Sequence, residues 1–367
     1  MRRFFYIILG LSVFLLGGET GLRVFSWTRD FLVQRDLIKQ RKEQILQNEF
    51  VFYQYDSLLG WRNRPGVEGR LKTLETTTEI RINRHGLRDR DYPYQKGAER
   101  RILVLGDYTV WGYGVEQEES FPKRLEKSLS PSWEVINAGT TGYSTDQELL
   151  YLRQEGLKYS PDVVLVVFSL YDTIENISQV AYSYPKPFFV LEGKSLRLAN
   201  VPVPKKSLKW EERLGLPSSQ QFVLGIVPKE QPPHSLSIFL MKHSRLYQQW
   251  AGKLQDPVWK EGLATSEALL LEMRHTIESN GARCMIVLLP SVQEVERGFR
   301  SRVSRQYEQF FLAHHFNWID SYARLRREFH QGRSLFFVSN SHLNAEGHAL
   351  LAAIIREAFV KQGLLAP

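Results

Sequence analysis

The stretch RILVLGDYTVWGYGV, Arg101 to Val115, carries the first residues whose types and spacing bear on chemistry. An apolar run ends in Gly106-Asp107, the kind of elbow after a buried strand on which hydrolases mount a nucleophile. That chemistry needs an activated hydroxyl, a base, a group that orients the base, and donors aimed at developing charge. The residue on the pedestal is Tyr108. Thr109, Thr140, Thr141, Ser339 and Ser341 also carry hydroxyls near the motifs below. For these the favoured reading is that of turn residues bonding their own backbone. The lone cysteine, Cys284, opens an apolar strand, and no Cys/His spacing suits zinc, so neither metal nor cofactor is expected.

The elements that must position these residues alternate. RILVLGD, WEVINAG, PDVVLVVFSLYD, RCMIVLLP and NWID read as strands. Between and after them, SFPKRLEKSL, TDQELLYLRQEGLKY, SEALLLEMRHTIESNG, VQEVERGFRSRVSRQYEQFFLAHH and NAEGHALLAAIIREAFVKQG read as helices. Fully apolar strands alternating with helices imply a parallel sheet covered on both faces, with the site beyond the carboxyl ends of its strands. Tyr108, Gly142 and Tyr171 all fall at such ends. Upstream, 55–99 is expected to be a β-rich strap, with TTTEIRIN as a strand. An insertion at about 175–260 breaks the rhythm and contains a hairpin turning at EGKS.

The N-terminus has two arginines, Arg2 and Arg3, then an apolar run from Phe4 to Gly18 that becomes long enough to span a bilayer if carried to Trp27. No small-residue cleavage site or lipobox cysteine is evident, so 1–27 is read as an uncleaved single-pass inner-membrane anchor with the rest exported. Glu19 lies near the end of that run. It is a candidate partner contact, although an interfacial position is the simpler reading. Residues 28–54, with Phe31/Leu32, Leu37/Ile38 and Ile45/Leu46 between charges, are expected to form an amphipathic juxtamembrane helix. The net charge of +8 contains no compact basic block, and no nucleic-acid partner is expected.

Four segments, RILVLGDYTVWGYGV, VINAGTTGYSTDQELLYL, PDVVLVVFSLYD and HLNAEGH, together resemble the four blocks of the SGNH/GDSL hydrolases. The likeness extends upstream to NRHGLRDRDYP and into the insertion at FVLEGKSLRLANVPVP, so it covers roughly residues 55–364. It implies a flavodoxin-like three-layer α/β/α domain over 100–367 and, as chemistry, ester hydrolysis or acyl transfer. A serine would follow Gly106-Asp107, a glycine N–H and an asparagine side chain would complete the oxyanion hole, and a histidine would be oriented by an aspartate just before it.

The sequence departs from that pattern at most of those places. Tyr108 occupies the serine position and Tyr171 the asparagine position, the latter followed by the expected Asp172. Gly142 and His342 are present, but Asn340 and Ser339 stand where the aspartate would be. Losing one oxyanion donor costs about 10²–10³ in rate, and an asparagine as orienter costs roughly 10⁴. A phenol cannot replace a serine hydroxyl in place, because it lies several ångströms further from the backbone. The expectation is therefore a catalytically degenerate, membrane-anchored structural or binding component of the cell envelope. Its protein partner or second copy would be engaged through the anchor, the juxtamembrane helix or the insertion, and an envelope polysaccharide is a further possible ligand. The alternative is an active esterase or O-acyltransferase using another hydroxyl.

Overall fold

The computed structural model describes residues 50–181, 184–205 and 257–365. The predicted anchor, Glu19 and most of the predicted juxtamembrane helix lie outside these. Among the described residues no helix is long and apolar enough to cross a membrane. The amphipathic segment read as ending at 54 gives way earlier, because Phe50–Phe52 is a 3-10 turn and Tyr53 already begins a strand.

The predicted strap is two antiparallel hairpins. β1 (Tyr53–Asp56) pairs with β2 (Gly60–Asn63), and β3 (Glu68–Lys72) pairs with β4 (Thr77–Arg81). Each buries alternate or terminal side chains such as Trp61, Leu71 and Ile80.

The apolar strands then assemble as β5 (Arg100–Leu105), β6 (Trp133–Asn137) and β7 (Val163–Ser169). Two short hairpins follow: β8 (Val180–Ala181) with β9 (Tyr184–Pro185), and β10 (Phe188–Glu192) with β11 (Ser195–Ala199). The second is the predicted hairpin, turning at Gly193 with φ +64°. β12 (Arg283–Leu289) and β13 (Trp318–Asp320) complete a five-stranded, all-parallel sheet in the order β13-β12-β7-β5-β6.

Because side chains alternate along each strand, one face presents Ile102, Val104, Val135, Leu165, Val167, Met285 and Val287. On that side lie α2 (Phe121–Leu129), α8 (Tyr322–His330) and α9 (Ala345–Lys361). The other face carries α3 (Thr145–Gln154), α5 (Pro257–Ser279) and α7 (Arg302–Ala313), with Tyr307 edge-on to Phe168 at 4.7 Å. Three short helices remain: α1 (Tyr108–Trp111), α4 (Asp172–Glu175) and α6 (Val292–Arg297).

The single helix expected from Val292 to His315 is two. Gly298 takes the left-handed conformation at φ +70° and closes α6, and the Ser301 side chain caps the start of α7. α8 was not anticipated, because its seam of apolar residues is thin and only Leu325 is fully buried.

Candidate functional site

The elbow follows directly from β5. At Gly106 a Cβ would lie 2.3 Å from Val110 Cγ2, so only glycine lets the chain turn there. Gly139 is as tightly placed, with a Cβ position 2.3 Å from the Trp111 backbone nitrogen. Asp107 caps α1 by accepting the Thr109 N–H at 3.0 Å. Burial pushes its carboxyl up to about 6 despite that bond and the Thr109 hydroxyl.

Beneath the elbow, Arg88 from the NRHGLRDRDYP stretch is fully buried. It donates to the carbonyls of Trp111 (3.1 Å), Gly112 and Val115 (2.7 Å), and its guanidinium lies 4.6 Å over the Trp111 ring. Burial lowers its pKa only to about 10, so it remains a cation at neutral pH and fixes the turn after α1. Asn63 of β2 accepts the Trp111 indole N–H at 3.2 Å and donates to Gly86 and Gly139. The strap is thus part of the elbow's foundation.

On the pedestal, the half-buried Tyr108 ring stacks on His342, centroids 4.7 Å apart and planes at 21°. Tyr113 packs edge-on to Tyr108 at 5.2 Å and against His342 at 5.2 Å. Among the described residues Tyr108, Tyr113 and His342 thus form a cluster of rings on the elbow.

His342 sits on the loop before α9, which Asn344 caps through the Gly347 N–H. The Asn340 Oδ1 accepts the backbone N–H of His342 at 3.0 Å across Ser341, whose φ is +63°. That oxygen is committed to a local turn. The same loop is gripped from the strap: Glu75 accepts the N–H of Ser339 at 2.6 Å and of Val338 at 3.3 Å. Burial works against the Glu75 carboxylate, but these bonds and one from the Ser339 hydroxyl outweigh it and hold its carboxyl below the usual range. Next to it, Thr76 donates to the Gly114 carbonyl at 2.9 Å.

The block-two turn is used for packing. Thr140 and Thr141 are buried. Trp61 donates to the Thr141 carbonyl at 3.0 Å, and the Thr141 hydroxyl bonds the Tyr53 phenol. Gly142, at φ +74°, permits the turn. Tyr171 does follow β7, but it is 65% exposed and its hydroxyl bonds the Gln293 side chain at the start of α6. Its hydroxyl thus faces α6, the helix that follows β12. Asp172 is buried and accepts both the N–H and hydroxyl of Thr145, at 3.2 and 2.7 Å.

Behind the elbow, Glu148 of α3 is also buried, and its Oε2 has no hydrogen-bond partner among the described residues. Burial first, then Asp107 and Asp146, raise its carboxyl well above the usual range. Asp172 is raised likewise by burial, Glu148 and Asp107. The neighbouring Asp146 bonds fully buried Lys186, which ties the insertion's first hairpin to α3. Among the described residues no group of three His, Cys, Asp or Glu side chains is placed to hold a metal.

No family model and no curated relative matches the sequence. Solved structures do. The lipase/acylhydrolase of Enterococcus faecalis is 15% identical at a TM-score of 0.38, with 72% of this chain and 96% of that one covered. A lipolytic G-D-S-L family member from Veillonella parvula is 14% identical at 0.39, with 71% and 99% covered. An alpha/beta hydrolase enzyme from the Lake Arreo metagenome is 11% identical at 0.40, with 72% and 96% covered. The five-stranded parallel sheet with helices on both faces is the three-layer α/β/α architecture that the resemblance implies. Likenesses this distant say nothing about activity, which depends on the site itself.

Thr109, Thr140, Thr141 and Ser339 are engaged with Asp107, the strap and Glu75. Ser341 is exposed. Sequence reasoning missed Glu75, Arg88, Tyr113 and Glu148. The first two act on backbone groups far along the chain, which leaves no spacing signal.

Proposed function

We propose that this chain is a catalytically degenerate SGNH-like protein, anchored in the inner membrane by its N-terminal segment. Its exported domain acts as a binding or structural component of the cell envelope. The observation that carries the reading is the Tyr108 ring stacked on His342, in the space an attacking serine would need. Two further features support it. Asn340, in the position of the orienting aspartate, is spent on the His342 backbone N–H. Tyr171, in the position of an oxyanion donor, turns its phenol to Gln293.

The anchor rests on Arg2, Arg3 and the apolar run that follows. On this reading the partner surface is assigned to residues 4–50 and to the insertion at about 175–260. A short-chain aryl ester assay on the full chain tests the reading. It predicts the same background rate for wild type and His342→Ala; turnover lost on that substitution would overturn it.

A further inference from the structure

We propose that the buried carboxyl groups behind the elbow form a proton-operated catch, in which protonated Glu148 lets α4 close against α3 and its ionisation frees α4 and the start of the insertion. The inference is independent of whether the elbow is catalytic.

Three carboxyl side chains, Asp146 and Glu148 of α3 and Asp172 of α4, are fully buried, and Asp107 of the elbow is half-buried beside them. The cation buried with them is Lys186. A carboxylate out of water must be paired or hydrogen-bonded, or it gives up its charge. Asp146 is served by Lys186, by the Ser144 hydroxyl at 2.9 Å and by the Gln147 N–H at 2.7 Å. Asp172 is served by the N–H and hydroxyl of Thr145. Glu148 is the member left over, because its Oε2 meets no donor among the described residues. Ionised in place, it would stand with Asp107, Asp146 and Asp172 while the lysine is already taken. Glu175 adds a further acid acting on Asp172. From α7 the Tyr307 phenol, kept neutral by burial, reaches the Thr173 hydroxyl at 2.9 Å.

α4 depends on this cluster. A helix of four residues does not hold itself, because nucleation costs more than one turn returns. Its first residue, Asp172, is tied to α3 through Thr145. Its end is tied by Asn176, which accepts the Asp146 N–H at 3.2 Å and donates to Ser266 of α5 at 2.9 Å. Lys186 donates to the Glu175 carbonyl at 3.1 Å as well as to Asp146, so one lysine joins α4, α3 and the insertion's first hairpin. The packing behind is close: a Cβ on Gly262 of α5 would lie 2.2 Å from the Thr173 carbonyl oxygen. A charge on Glu148 thus acts on Asp146 and Asp172, the two residues through which α4 is held.

Burial, then Asp107 and Asp146, raise the Glu148 carboxyl in the closed form. With α4 open it returns to the ordinary value of about 4.3, so opening releases a proton. The closed form is favoured below the open value, and that preference is lost as pH rises through the closed value. Between the two, opening grows by up to about tenfold per pH unit for each proton released.

Hydrogen exchange on the full chain in detergent micelles, followed from about pH 5 to 9 and divided by the intrinsic amide rate, tests this. Residues 172–178 should lose protection as pH rises, by up to about tenfold per unit for each proton. α9 should stay better protected than α4 throughout, which marks the opening as local. E148Q should reduce the slope, and E148Q/D172N should remove it. Wild-type protection that does not change with pH, or an E148Q slope equal to that of wild type, would overturn the inference. Equal protection of α4 and α9 would overturn it too, because the cluster would then report only global unfolding.

Discussion

The Tyr108 ring lies on the His342 ring at 4.7 Å and 21°. In a working serine elbow that volume holds a hydroxyl and a substrate carbonyl. Here it is a packed contact, shared with Tyr113. Tyr108→Ala is therefore expected to destabilise. A fully buried aromatic truncated to alanine costs about 3–5 kcal/mol, and for this half-buried ring about 1–3 kcal/mol is expected in urea unfolding. A neutral result would mean that the three rings contribute no packing.

Glu75 holds the histidine loop from the strap. Its carboxyl is kept below the usual range by Ser339 and Val338 against the effect of burial. A depressed folded pKa contributes stability that is present above the unfolded value of about 4.3 and is lost as pH falls through the folded value. Glu75→Gln should thus lower Tm at pH 7 and make no difference in strong acid. A gap between variant and wild type that widened on acidification would contradict this assignment.

Glu148 has the opposite sign. Burial, then Asp107 and Asp146, raise its carboxyl. Such a group favours the fold below its unfolded value of about 4.3, and that contribution is lost as pH rises through the folded value. Glu148→Gln keeps the neutral shape. Its Tm should exceed wild type at pH 7, with the difference closing as pH falls towards 4. A variant less stable than wild type at pH 7 would show that the ionised carboxylate is well solvated or paired.

Much of this was legible in the residues. Six apolar residues in a row at Val163–Phe168 read as a strand covered on both faces, and the Gly193 turn announced the β10–β11 hairpin. The elbow was legible because Gly106 and Asp107 answer local needs, a missing Cβ and a capping oxygen. Gly298 was passed over because a long amphipathic period hides one left-handed residue. Glu75 and Arg88 were invisible for a different reason. Their partners are backbone carbonyls and N–H groups, which every residue carries, so the sequence holds no trace of the pairing. The side on which Tyr171 falls depended on Gln293, more than a hundred residues away.

The central claim is that no hydroxyl in this fold is activated. A fluorophosphonate probe reports activation without knowledge of any substrate, because it phosphonylates only a nucleophile served by a base. The measurement is the intact mass of the full chain after prolonged exposure, for wild type and His342→Ala. The account predicts both proteins unmodified. An adduct on wild type at Tyr108, Thr109, Ser339 or Ser341 that disappears in His342→Ala would contradict it.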